Sequence, residues 1–159
     1  MAAPDWRVRR AVADDLGSLT VLGRANQLVH ARLDTRIPAL GHDEVRRSYL
    51  SYLTHGFVVI AEHEDGEAFG LLAARMQHEP PLLHICDAFV ARSKRRQGVL
   101  RAMIALTLPW GERAGATGVT VDWLAMNPVS SEVWVELGFA PIFVTARTGL
   151  KELRAKVGG

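Results

Sequence analysis

The sequence predicts an α/β domain: a mixed, mostly antiparallel sheet holding one parallel strand pair, with helices packed on it. Three observations carry that prediction. Two apolar runs, FVVIAEH (57–63) and AFGLLAARMQ (68–77), are joined by the turn EDGE and read as a hairpin. From 82 to 126 the chain reads strand, loop, helix, strand, a βαβ unit whose two strands run parallel. A chain of 159 residues supports one sizeable core and not two, so a single domain over 1–159 is expected.

The elements follow in order. WRVRRAV (6–12) alternates apolar and basic residues, as a half-buried strand does. Asp14 or Asp15 can cap a helix that carries Leu16, Leu19, Leu22 and Leu28 at roughly helical spacing through about residue 30. RLDTRIPALG holds a proline and a glycine and reads as a loop; His42 to Leu53 forms a second helix, ended near His55 and Gly56. After the hairpin, Pro80 and Pro81 break the chain before LLHICDAFV (82–90), the third strong strand. From Gln97 to about Ala114, Val99, Met103, Ile104, Leu106 and Leu108 suit a helix that Pro109 should kink or end early. GVTVDWLAM (118–126) is a strand, SSEVWVEL (130–137) a short helix stopped by Gly138, and FAPIFVTART (139–148) a last strand.

Composition narrows the function classes. The chain is 48% hydrophobic and 23% charged, the balance of an ordinary globular protein. No apolar run of a signal peptide opens it, and no stretch approaches the roughly 20 apolar residues of a membrane span, so a cytoplasmic location and no membrane partner are expected. The lone Cys86 excludes an internal disulfide and a cysteine-rich zinc site, and none of the six histidines forms a paired-ligand spacing, so no metal is expected. A net charge of +2 with acidic residues mixed throughout does not by itself call for nucleic acid.

The local basic cluster does call for an explanation. ARSKRRQGVL (91–100) joins the end of a buried strand to the start of the long helix. Backbone N–H groups at a helix start lack intrahelical partners and sit at the positive end of the dipole, so such a junction binds phosphate. Gly98 lets an anion approach closely, and Arg92, Lys94, Arg95, Arg96 and Arg101 supply charge. A diphosphate ligand suits this loop; a solvated basic loop is the plainer alternative. A nucleic-acid site needs aromatic platforms or a recognition helix beside the patch, and none is visible near residues 91–101, so no nucleic-acid partner is expected.

Two segments carry a family resemblance. The pattern V-x-P-x-x-[RQ]-x-x-G-x-[GA] falls on Val90 to Leu100, matched at Val90, Arg95 and Gly98, and N-x-x-A-x-x-L-Y-E-x-L-G-F falls on NPVSSEVWVELGF, matched at Asn127, Leu137, Gly138 and Phe139 with the small Ser130 in place. In these features the chain resembles the GNAT superfamily of acetyl-CoA-dependent N-acetyltransferases. The resemblance implies a GNAT fold in which the strands at 82–90 and 118–126 splay into a cleft for acetyl-CoA. The pyrophosphate would lie on the backbone of Gln97, Gly98, Val99, Leu100 and Arg101 with Arg95 and Arg96 beside it, the pantetheine would pair around Phe89 and Val90, and Asn127, Ser130 and Trp134 would lie near the cofactor's second strand. It also carries the expectation of a homodimer.

Three positions depart from the family pattern. Arg92 replaces a proline that only shapes a loop. Leu100 stands where the family has glycine or alanine, so either the helix turns it away from the ligand or cofactor binding is weakened. Trp134 replaces a tyrosine whose phenol protonates the departing thiolate in the family, and an indole N–H is far too weak an acid to do so.

An acceptor ammonium must lose a proton before it attacks. Along a regular strand residues 84, 86, 88 and 90 share one face, which aims His84 at the same cleft as Val90 and puts Asp87 on the other face unless a bulge intervenes. His84 also stands six residues before that valine, where some family members carry a base, and imidazole titrates in the useful range. The alternative is a histidine merely packed or hydrogen-bonded under the sheet. Asp122 and Asp87 are further candidates, and Cys86 reads as a small buried hydrophobe rather than an acetyl carrier.

The acceptor side, VHARLDTRIPALGHDEV, mixes His30, Arg32 and Arg36 with Asp34, Asp43 and Glu44 and selects no charge class. The function expected is acetyl transfer to a primary amine by direct attack in a ternary complex. The competing expectation is an acyl-CoA-binding domain without turnover, acting as a sensor or partner subunit.

Overall fold

The computed structural model describes residues 4–157. Five strands form one sheet in sequence order: β1 (Trp6–Arg10), β2 (Phe57–His63), β3 (Ala68–His78), β4 (Pro81–Val90) and β5 (Gly118–Val121). The first three pairings are antiparallel and β4 with β5 is parallel. Helices α1 (Leu16–Leu33) and α2 (His42–His55) precede the hairpin, α3 (Val99–Arg113) links the parallel pair, and α4 (Pro128–Glu136) and α5 (Leu150–Val157) follow. The mixed sheet flanked by helices matches the expected architecture.

Alternation along the strands sorts the core into two layers. Val59, Leu72, Leu83 and Ile85 face Val99 and Met103 of α3 and Trp134 of α4. Val58, Ile60 and Leu71 face Leu19 and Leu22 of α1 and Val45 and Tyr49 of α2. No helix among the described residues is long and apolar enough to cross a membrane.

Four local readings need correction. Asp15 does not cap α1 forward; its carboxylate accepts the Val12 N–H behind it at 2.8 Å and pairs with Arg9. Pro109 does not end α3, which runs on to Arg113. Both Pro109 and Ala105, whose carbonyl loses its N–H donor, are exposed, so water can take the missing bond. The strand expected over 118–126 stops at Val121, because its partner β4 deviates after Ile85. Residues 139–149 form neither helix nor strand, and Ile142, Phe143 and Val144 are 75%, 87% and 93% exposed. Their β-branched, apolar composition favours a strand, but a strand forms only against a neighbouring edge, and four-residue β5 offers little of one.

Candidate functional site

The basic loop ends as the sequence suggests. Arg96 (φ 61°) and Gly98 (φ 81°) both adopt the left-handed conformation, and Gly98 directly precedes α3. The first backbone bond of the helix runs from Ala102 N–H to the Gly98 carbonyl at 3.0 Å, so the N–H groups of Val99, Leu100 and Arg101 have no intrahelical acceptor. The side chains divide. Arg95 Nε donates to the Val90 carbonyl at 2.9 Å, Gln97 to the Ser93 carbonyl at 3.1 Å, Lys94 to Asp5, and Arg101 to Glu136 at 2.8 Å. Among the described residues Arg92 and Arg96 carry no such bond, so of the five cations these two are free to meet an anion. Leu100 packs against the α3-side core, and the helix thus turns it inward.

Beyond the loop lies the opening between the parallel strands. β4 pairs with β5 only from Leu82–Gly118 to Ile85–Val121. Past that point one edge of β4 runs on through Phe89 and Val90 without β5 beside it, a free backbone edge of the kind an extended ligand can pair with. The gap holds a cavity of about 280 Å³ walled by Ile85 to Ala88 on one side and Val121 to Leu124 on the other, with Trp134 closing it. Trp134 meets Phe139 edge-on with ring centroids 5.4 Å apart. Asn127 is the N-cap of α4: its Oδ1 accepts the Ser130 N–H and its Nδ2 donates to Ser130 Oγ at 2.8 Å, so both side chains are already partnered.

β4 is not a regular strand, and that changes which residues share a face. Ala73 pairs with Asp87 while the next residue, Ala74, pairs with Ile85, so Cys86 is the extra residue of a β-bulge. Past the bulge the alternation is shifted. His84 therefore shares a face with Asp87 and Phe89, not with Ala88 and Val90, and the face-sharing expected of residues 84, 86, 88 and 90 does not hold.

The side chains on that shared face are held differently. Asp87 accepts hydrogen bonds from Asn26 Nδ2 of α1 at 2.5 Å and from the Tyr49 phenol of α2. Burial pushes its carboxyl above the ordinary carboxylate range, while those two donors draw it back. His84 Nδ1 hydrogen-bonds the Thr120 hydroxyl at 3.0 Å, and its Nε2 lies 3.8 Å from the exposed carboxylate of Asp122. Desolvation holds the imidazole below its usual value, with Asp122 opposing. Asp87 and Asp122 both line the 280 Å³ cavity; His84, buried between the strands, does not. Burial also raises the Cys86 thiol, which keeps it from being a thiolate nucleophile.

Sequence reasoning missed Asn26, Tyr49 and Tyr52. A signal was present: Asn26 follows Leu19 and Leu22 at core-facing spacing on α1, and Tyr49 follows Val45 by four on α2. A polar group on a core-facing stripe needs a partner, and here that partner is a carboxylate across the sheet.

Comparison with known proteins agrees with this geometry. The model of the acetyltransferase (GNAT) family matches residues 26–139. The aminoglycoside N(6')-acetyltransferase type 1 of Salmonella typhimurium is 30% identical over 82 residues, covering 47% of this chain and 57% of that protein. The chain thus spans little more than half the length of the curated relatives it matches. The structure of AAC(6')-Iy in complex with the bisubstrate analogue CoA-S-monomethyl-acetylneamine superposes with a TM-score of 0.69 at 24% identity, covering 90% of this chain and 99% of that one. A mutant of the BH1408 protein from Bacillus halodurans gives 0.74 at 15% identity, with 91% and 99% covered. At these identities the two structures establish the shared fold.

Proposed function

As the chain belongs to the GNAT acetyltransferase family, we propose that it moves an acetyl group from acetyl-CoA to a primary amine by direct attack in a ternary complex, within one domain over residues 1–159. The observation that carries this is the parting of β4 from β5 after Ile85 and Val121, beside a helix start with unpaired N–H groups. The coenzyme's diphosphate would rest on the N–H groups of Val99, Leu100 and Arg101 with Arg96 as counter-charge. Its pantetheine arm would follow the free edge of β4 past Phe89 and Val90, bringing the thioester into the 280 Å³ cavity. Relatives named aminoglycoside N(6')-acetyltransferases support a small-molecule amine as acceptor.

In the chemical step Asp87 takes a proton from the acceptor ammonium. A carboxyl raised by burial is a stronger base than an ordinary aspartate, which favours this transfer. The freed nitrogen lone pair attacks the thioester carbonyl carbon, and a backbone N–H of β4 near Val90 stabilises the oxyanion. The nitrogen sheds its remaining extra proton to water, the C–S bond breaks, and the amide is released. Trp134 cannot protonate the departing thiolate, so water at the open, Asp122 side of the cavity supplies that proton. His84, bonded to Thr120 and close to Asp122, acts as a positioning residue for the ends of the two strands.

The test is paired. Acetyl-CoA should raise the melting temperature, since a ligand that binds only the folded state stabilises it by mass action, and an amine panel should elicit thiol release. The absence of both would overturn the assignment. Trp134 at the position of the missing phenol favours one second reading, an acyl-CoA-binding domain without turnover. A thermal shift without thiol release from any amine would establish that reading instead.

A further inference from the structure

A second cavity, of about 190 Å³, lies on the α1 and α2 side of β4 and shares His30, Cys86 and Asp87 with the first. Gly23 and Gln27 of α1, Val45, Ser48, Tyr49 and Tyr52 of α2 and Leu40 of the intervening loop form the rest of its wall. Asp87 stands at the junction, where its carboxylate accepts from Asn26 and Tyr49, both neutral, and shares the wall of both cavities with the imidazole of His30; among the described residues no lysine or arginine pairs with it. A carboxylate taken out of water without a permanent cation beside it is costly, and a ligand's ammonium would supply that charge.

Resting on the acetyl-transfer proposal above, we infer that this 190 Å³ cavity is the acceptor pocket, and that it takes a compact primary amine bearing a single ammonium on a small body, not a polycation. Its size is below the ~300–1,000 Å³ of ordinary ligand sites, which limits the body to a small ring or short branched chain. The edge-to-face rings of Tyr49 and Tyr52, 5.8 Å apart, and the Leu40 side chain offer that body a partly apolar wall, and Gln27, His30 and Ser48 make the rest of it polar.

The charge count sets the class. Asp87 is the one carboxylate lining this pocket. Of the other acids, Asp34 is clamped by Arg36 at 2.6 Å and Glu44 accepts the Gly41 N–H at 2.7 Å as the cap of α2, while Asp43 is exposed beside His42 and Asp122 lines the neighbouring cavity. Within this pocket an amine with three or four ammonium groups would find one carboxylate, and its other charges would have to stay unpaired or reach beyond the pocket. An ammonium seated on Asp87 also lies where the two cavities meet, facing the place proposed for the thioester.

Steady-state thiol release at saturating acetyl-CoA tests this with four probes: phenethylamine and isobutylamine as compact monoamines, spermine and neamine as polyamines. The expected result is a kcat/KM at least ten-fold higher for a monoamine than for either polyamine. Ser48→Trp, which fills the pocket from α2, should raise the monoamine KM at least ten-fold while the thermal shift with acetyl-CoA stays at the wild-type value. Asp87→Asn, close in shape, should lose about a hundred-fold in kcat/KM with the same shift retained. A polyamine preferred over both monoamines, or a Ser48→Trp variant with unchanged KM, would overturn the pocket assignment and leave acetyl transfer standing. No thermal shift and no thiol release with any probe would remove both.

Discussion

The phenol of Tyr49, on α2, donates a hydrogen bond to the carboxylate of Asp87, on β4, and so ties the helix layer to the one strand that borders both cavities. Tyr49→Phe keeps the ring and removes the donor. A hydrogen bond to a charged group is worth about 1.5–3 kcal/mol, and its loss disfavours the ionised carboxylate. The Asp87 carboxyl, already raised, should rise further, so the acid limb of the kcat/KM profile should move to higher pH. An unmoved limb would mean that Asp87 is not the titrating base.

Gly23 is the space that Tyr49 occupies. A Cβ there would overlap the ring's Cε2 and lie 2.9 Å from the phenol oxygen. Gly23→Ala should therefore cost about 1–3 kcal/mol through overpacking, read as a lower midpoint in urea, and should reduce kcat/KM by displacing the donor of Asp87. Wild-type stability in this variant would show that α1 can move aside.

The cations of the loop should not be equivalent. Arg101 is paired with Glu136 and Arg95 is tied to the Val90 carbonyl, whereas Arg96 carries no bond among the described residues. Calorimetric titration with coenzyme A should show about a ten-fold weaker Kd for Arg96→Ala and a smaller change for Arg101→Ala. The reverse order would place the diphosphate elsewhere along α3.

At the other end of the sheet the buried Glu62 accepts from Arg7 and Arg9, and Arg9 also holds Asp15 at 2.8 Å. Arg9 is the largest cause holding both carboxyls below their ordinary values. A depressed carboxyl contributes stability that is full above its unfolded pKa, about 4 for these groups, and is lost as the pH falls through the folded value. The melting temperature should thus drop as the pH is lowered from about 5 towards 2, and more shallowly in Glu62→Gln. Parallel curves for the two proteins would exclude this network as a source of acid lability.

The fold was legible where pattern and local chemistry coincide. The hairpin at 57–78 carries two apolar runs and its own turn within the segment itself, and Gly98 before an apolar-periodic run marks a helix start with no help from elsewhere. What was not legible depends on partners distant in sequence. Nothing within LLHICDAFV marks Cys86 as the extra residue; the bulge exists only against β3, and without it the two-residue period puts His84 on the side of Val90. FAPIFVTART has the composition of a strand but no edge to join. Asn26 and Tyr49 lie 61 and 38 residues from the carboxylate that explains them.

The bulge at Cys86 makes residue number itself a functional quantity in β4. It acts as a phase shift, so that Ile85 and Ala88, three apart, both face α3, while His84 and Asp87 both face α1 and α2. Pairing position 86 into a uniform strand would set its two halves in conflict. Keeping Val90 on the side of α3 would turn His84 away from Thr120, and keeping His84 in place would carry Asp87 through the sheet, out of reach of Asn26 and Tyr49. A side-chain exchange at this position alters the lining of two cavities, whereas its deletion would leave His84, Asp87 and Val90 on the faces they already hold; the parity breaks only when an unbulged strand keeps all ten residues.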